Sequence, residues 1–419
     1  MRLVVLAPYC DGTDVGESHC AFQWVSHLAE RFDVTLLTLQ RQGRQPVAEQ
    51  LPDVNVVSWP EPSLWRRHER LNAMMKPAYW GYYRKARRWL RDHRQRIDIV
   101  HQIAPLAMRY PCPATGLGLP YMIGPLGGSL NTPDDIATMP VPGMAEAPVD
   151  KWYARLRSID HWRFAHDPWL RRSYAQADIV IGVGDYVRRL LHRIELQAFH
   201  VESELGIEGL SDSHQARLAR PVRRLLHVGR GVRMKGLQEA VQCLADLAAD
   251  YPELTLISAG QGPEIERCQK LANHLGVAER CSFLGQIPRE RVETLYQEAD
   301  IFLFPILREP SGSVLFEAMR HGLPPVVARA GGPGHVIDNR SGSAIDCHDA
   351  MQFRQALAMA VRKLADDRDH YQAMVAGTRE RVARLGLWSH KMDRIEALYR
   401  QVLETRSSAM PSVPGECAA

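Results

Sequence analysis

Two carboxylates flank a small polar turn in REPSGSVLFEAMRHGLPPVVARAGG, residues 308–332. Glu309 precedes the Ser-Gly-Ser, Glu317 follows it, and an apolar strand then runs into Gly-Gly. Pro310 disfavours a helical backbone at Glu309, which therefore belongs to the loop leaving the strand IFLFPI. That is the carboxyl edge of a sheet, where open α/β sheets bind ligands. The helix SVLFEAMRHG starts after Gly312, and its first amides, from Ser313 and Val314, have no acceptor within the helix. Such a terminus fits phosphate. Around a diphosphate, Glu317, about one turn into the helix, would accept from a ribose and Glu309 from a sugar. Taken alone, this spacing favours a solvated helix residue and an ordinary loop charge.

A second cluster lies in HVGRGVRMKG, where Arg230 and Lys235 follow a buried strand on a glycine-rich turn. Lys235 precedes Gly236 and no Ser or Thr comes next, so this is not a Walker loop, and the glycine spacing also fails the dinucleotide fingerprint. Shielded from water, each cation would contribute about 1.5 to 3 kcal/mol through charge-assisted hydrogen bonds to an anion. Both would also stabilise a departing diphosphate, a task a divalent metal performs elsewhere. Arg233 has a weaker claim. A surface Arg and Lys near a turn is the ordinary alternative in a chain with 52 basic residues.

These groups need strand ends to hold them. Apolar runs of strand length (RLVVLAPY, DVTLLTL, NVVSW, IDIVHQI, PYMIGPL, ADIVIGVG, then RRLLHVG, LTLISAG, CSFLG, IFLFPI, PPVVAR) alternate with stretches of helical period. Short buried strands spaced by helices predict parallel sheets covered on both faces. Both halves open alike, with a strand, a glycine-bearing loop and a helix, so the expected architecture is α/β: two doubly wound, Rossmann-like domains facing each other across a cleft. The expected division is an N-terminal domain over 1–205, a polar linker over 206–222 and a C-terminal domain over 223–387. A helix over 388–405 would pack on either domain, and a disordered tail would cover 406–419.

The 419 residues exceed what one core usually holds, in keeping with two domains. A net charge of +4 suits anionic ligands and falls far short of a nucleic-acid-binding tail, so nucleic acid is not an expected partner. The eight cysteines form no C-x-x-C pair and the first apolar run is too short for a secretory signal, which predicts reduced thiols in a cytosolic protein. No apolar segment approaches the ~20 residues needed to cross a bilayer. Within 63–96, however, many Arg mix with Trp and Tyr. That mixture suits an anionic membrane surface and equally an Arg-rich helix whose aromatics pack inward.

LLHVGRGVRMKGLQEAV, LISAGQGPEIE, FLGQIPRERVETLYQEADIFLFPILREPSGSVLFEAMRHGLPPVVARAGG and ADIVIGVGDYVRRLL resemble successive blocks of the retaining glycosyltransferases of family four, which have the two-domain GT-B fold. The resemblance is dense over 177–345 and thinner before. It implies a nucleoside diphosphate sugar held in the C-terminal domain and no metal cofactor. Glu317 would then bind the ribose and Glu309 the donor sugar. Arg230 and Lys235 would hold the diphosphate together with the amides of Gly312, Ser313 and Val314, and Gly16 would approach the phosphates from the N-terminal domain. Glu309, Arg230 and Lys235 are the expected catalytic groups. The resemblance further implies transfer with retention, the donor phosphate helping to remove the acceptor proton, and a glycan, lipid-linked or small-molecule acceptor.

The chain also departs from the family. A histidine common after the strand LPYMI is replaced by GPLGGSLNTP, where Gly127, Gly128 and Ser129 would either supply backbone donors or shape an acceptor pocket. His101, at another strand end, takes either a polar role there or a structural one. Ser311 stands where an aromatic residue is common, and ELGIEG replaces an Asn-Gly near the linker. Asp367 and Asp369 form an Asp-x-Asp, far from any strand end, and are assigned to a helix face or turn. Two other functions stay open: a nucleotide-sugar epimerase of the same fold and a non-catalytic nucleotide-sugar binder.

Overall fold

The computed structural model describes residues 1–62, 76–130 and 151–409. The first sheet has seven strands: β1 (Arg2–Leu6), β2 (Asp33–Gln40), β3 (Asn55–Pro60), β4 (Ile99–Gln102), β5 (Tyr121–Leu126), β6 (Ile179–Gly182) and β7 (Phe199–Val201). They lie in the order β3-β2-β1-β4-β5-β6-β7, and all pairs are parallel. The second sheet has six: β8 (Arg224–Val228), β9 (Thr255–Ala259), β10 (Cys281–Phe283), β11 (Ile301–Phe304), β12 (Pro325–Ala328) and β13 (Ser343–Ile345). Their order is β10-β9-β8-β11-β12-β13, again all parallel. The expected doubly wound pair is what forms.

Helices cover both faces of each sheet because the strands are apolar on both faces. Leu3 and Val5 enter one core with Trp24 and Ile99, while Val4 and Leu6 enter another with Tyr79 and Tyr82. In the second lobe Ile301 and Leu303 face one core and Phe302 and Phe304 the other. Winding reverses between β1 and β4 and between β8 and β11, which opens a crevice at the carboxyl ends of each pair.

The stretch 206–222, expected from its polarity to be a linker, contains the helix His214–Leu218. Its Arg217 is wholly buried and donates to the carbonyls of Ala299, Tyr296 and His321 in the second lobe. Polarity there satisfies buried carbonyls rather than meeting water. The last helix runs Trp388–Ala409, so residues 406–409 are helical rather than part of a tail, and Arg406 pairs with Asp178 at 2.7 Å. Its Trp388, Met392, Ile395, Tyr399 and Val402 recur at helical spacing and pack into the first lobe's core with Trp24 and Val25. Where the two crossings between lobes meet, Ile207 N donates to Gly386 O and Trp388 N to Ile207 O.

Candidate active site

The carboxyl ends of β8 and β11 carry the cations and the first carboxylate. Lys235 closes the short turn Arg233–Lys235, and its Nζ lies 2.5 Å from Glu309 Oε2, with both side chains largely shielded from water. Two contacts tie the loops: Leu307 N donates to Met234 O at 3.0 Å, and His227 Nε2–H donates to Lys235 O at 2.9 Å. That donation fixes the ring's tautomer, and burial lowers its pKa to about 4, so His227 is neutral. Gly236 sits at φ 74°, and a Cβ there would lie 2.0 Å from Pro305 O. Only glycine lets the Lys235 turn press against the Glu309 loop this closely. On the far side Glu309 bridges to Gly331, where a Cβ would lie 2.1 Å from Glu309 O. This backbone approach accounts for the Gly-Gly after β12.

Arg230 is exposed on the same loop, and its guanidinium bonds nothing among the described residues. Arg233 is instead sequestered with Glu239 at 2.5 Å, both side chains buried, as a structural pair. The helix Ser313–Arg320 begins at Gly312 with no side-chain cap. Among the described residues the amides of Ser313 and Val314 have no acceptor. Glu317 is not the solvated residue its spacing alone favoured. Tyr296 Oη donates to its Oε2 at 3.2 Å, and burial pushes its carboxyl above the usual range.

A further carboxylate enters from the crossing between lobes. Glu204 Oε1 accepts from Ser311 Oγ at 2.5 Å and from Ser313 Oγ at 3.1 Å. Burial raises its pKa, the Ser311 hydroxyl counters that, and the charge of Glu309 adds to it. Sequence reasoning noted the unusual ELGIEG but assigned Glu204 nothing, because the signal was a departure from a pattern and its partner lies 107 residues away.

The first lobe faces this loop through Gly127, whose built Cβ would stand 3.4 Å from Pro310 Cβ, and through Leu130, 2.7 Å from the Cβ position of Gly331. Gly16 starts the helix Glu17–Ala29 and faces open space. The expectation of backbone donors at Gly127 and Gly128 is corrected. The first amide is bonded to Leu106 O and the second to Tyr186 Oη at 3.1 Å, which leaves neither for a ligand. Ser129 donates to Asp160 at 3.0 Å and its carbonyl accepts from His161 at 3.0 Å. His101 has a core position instead: it is fully buried, shares a 2.6 Å hydrogen bond with Tyr399 Oη, and burial lowers its pKa to about 4. The final helix covers that strand end. Asp367 caps the helix Arg368–Gly386 through His370 N.

Residues 16–202 match the model of the glycosyl transferase 4-like domain, and residues 212–381 match that of glycosyl transferases group 1. Together the two matches cover most of the chain. The chain belongs to the family-four-type glycosyltransferases with the GT-B fold. This glycosyltransferase-family chain is 32% identical over 197 residues to the D-inositol 3-phosphate glycosyltransferase of Corynebacterium urealyticum, which covers 45% of this chain and 43% of that one. It is 34% identical over 167 residues to the GDP-mannose-dependent alpha-(1-6)-phosphatidylinositol monomannoside mannosyltransferase of Mycolicibacterium smegmatis, covering 38% and 42%. The chain thus spans less than half the length of these curated relatives. Among solved structures, sucrose-phosphate synthase from Thermosynechococcus elongatus superposes with a TM-score of 0.64 at 19% identity, over 96% of this chain and 99% of that one, and shares the fold.

Proposed function

We propose that the protein transfers a sugar from a nucleoside diphosphate sugar to a carbohydrate, lipid-linked or small-molecule acceptor, with retention at the anomeric carbon. One observation carries the reading: the Lys235–Glu309 pair stands at the end of β11, two residues before an uncapped turn whose Ser313 and Val314 amides have no acceptor. Lys235 and Arg230, with those amides, would hold the diphosphate and supply the positive charge a divalent cation otherwise brings. Glu309 would accept from the donor sugar's hydroxyls and Glu317 from the ribose. Gly16 would let the first lobe's backbone approach the phosphates. GDP-mannose dependence in the name of the Mycolicibacterium relative supports this class of donor.

In the proposed step the bond between the anomeric carbon and the phosphate oxygen breaks. The acceptor hydroxyl oxygen bonds the same face, and its proton passes to the departing diphosphate. The protein's contribution is position and charge stabilisation, with no covalent intermediate on a side chain. The test is a thermal-shift screen against UDP, GDP, ADP and their sugar conjugates, followed by transfer assays. The preferred nucleotide should raise the melting temperature. Glu317→Ala should weaken it about tenfold, and Lys235→Met should slow turnover about 100-fold. Wild-type behaviour of both variants would overturn the assignment. Sugar interconversion without acceptor would favour an epimerase instead.

We also read the outer face of the helix Tyr79–Asp92 as a contact with an anionic bilayer that presents a lipid-linked acceptor. Its tyrosines pack inward, but Trp80 is exposed, its ring lies 5.3 Å from that of the exposed Trp169, and the exposed Arg84 lines the same surface. The rest of the basic-aromatic stretch, 63–75, lies outside the described residues. Vesicle flotation tests this contact.

A further inference from the structure

A serine just ahead of a helix usually turns its hydroxyl onto the free amides two or three residues on. Ser311 stands two and three residues ahead of Ser313 N and Val314 N, and among the described residues its hydroxyl bonds neither amide. Its hydroxyl, 2% exposed as a residue, is turned instead to Glu204, as is that of Ser313, and both meet the same oxygen, Oε1.

Glu204 is itself held without slack. Its carbonyl accepts from Trp24 Nε1 at 2.6 Å and from Cys20 Sγ at 3.1 Å, both on the helix Glu17–Ala29. The carbonyls on either side, of Ser203 and Leu205, accept from Lys391 Nζ at 2.8 and 2.7 Å. That ammonium is wholly buried between Trp24 and Trp388. Three successive carbonyls gripped by the first lobe and the last helix fix the backbone from which the Glu204 side chain reaches both serines.

We propose that Glu204 is a positioning residue for the donor site: it draws the hydroxyls of Ser311 and Ser313 away from the helix terminus and so keeps the Ser313 and Val314 amides open for the diphosphate. This rests on the donor reading given above. A carboxylate beside a phosphate site would otherwise be a liability. Here its task needs an acceptor oxygen and not a charge, because one oxygen takes both hydroxyls. Glutamine offers that oxygen and alanine does not.

Isothermal titration of UDP, GDP and ADP into the full chain tests this. Glu204→Ala should weaken the bound nucleotide about tenfold, the loss of one charge-assisted bond to the ligand. Glu204→Gln should stay within about twofold of wild type or bind more tightly. Glu204→Ala with Ser311→Ala should recover most of the affinity, because the hydroxyl that stands two and three residues ahead of the Ser313 and Val314 amides is then gone. A residue that merely supports the fold predicts the opposite, the double variant being worse than the single. Wild-type affinity in Glu204→Ala, failure of Gln to rescue, or further loss in the double variant each overturns the proposal. Melting curves of the free variants confirm that each is folded, and Gln, which keeps both hydrogen bonds, decides the matter if Ala unfolds. Absence of binding of UDP, GDP and ADP alike by the wild type overturns the donor reading, and this proposal with it.

Discussion

Lys235 is held by partners rather than by its own backbone preference. Its ammonium faces Glu309, and its carbonyl takes the proton of His227 Nε2, which ties the turn to β8. Burial of that imidazole makes the turn sensitive to acid. His227 has a folded pKa of about 4 against 6.5 in its ordinary state, because burial disfavours the imidazolium. Its contribution to stability is therefore complete above pH 6.5 and lost as pH falls towards 4. Between about pH 7 and about pH 5 the wild type should lose on the order of 2 kcal/mol relative to His227→Gln, which keeps a donor and cannot titrate. Denaturation of both proteins across that range is the measurement, and parallel losses would refute the account. His101 titrates in the same window but is common to both proteins, so its effect cancels.

Elements meet in this protein through glycine-borne backbone contact as much as through side chains. The Lys235 turn and the loop after β11 touch at Gly236 and Pro305, where a methyl group has no room and φ is 74°. Gly236→Ala should cost about 2 to 4 kcal/mol and displace Lys235 from Glu309, lowering both the urea midpoint and turnover. An unchanged midpoint would show that the two loops yield more readily than their spacing implies. Gly236 was readable in the sequence as a turn former. That it is also a contact surface was not, because the opposing carbonyl belongs to the loop after β11, about seventy residues away.

Taken as a unit, the two lobes are joined by the crossings at Ile207 and Leu387 and by the final helix, whose face from Trp388 to Val402 packs into the first lobe's core. The crossings place Glu204 between a first-lobe helix and a second-lobe turn. Away from the cleft, Trp80, Trp162 and Trp169 remain 37%, 61% and 46% exposed on neighbouring segments of the first lobe. Among the described residues no helix is long and apolar enough to cross a membrane. Flotation with vesicles containing anionic lipid is expected at low salt, reduced severalfold by Trp80→Ala with Trp169→Ala and weakened by salt. Equal recovery with purely zwitterionic vesicles, or none with either kind, would remove the membrane contact.

Local rules made much of this protein readable in advance. Apolar runs of strand length alternating with helical period gave parallel sheets, Pro310 put Glu309 in a loop, and Gly312 marked where its helix starts. Each follows from backbone sterics and burial over a few neighbouring residues. What stayed hidden depends on which distant surfaces meet. His101 is a core residue because Tyr399, 298 positions later, covers it. Arg217 is buried because carbonyls of the second lobe surround it, although its neighbourhood reads as a linker. Glu204 reaches the turn before Val314 because the crossing that carries it is held by Trp24 and by the buried Lys391. Composition records a side chain's polarity, whereas its partner, and hence its role, is settled when the lobes pack.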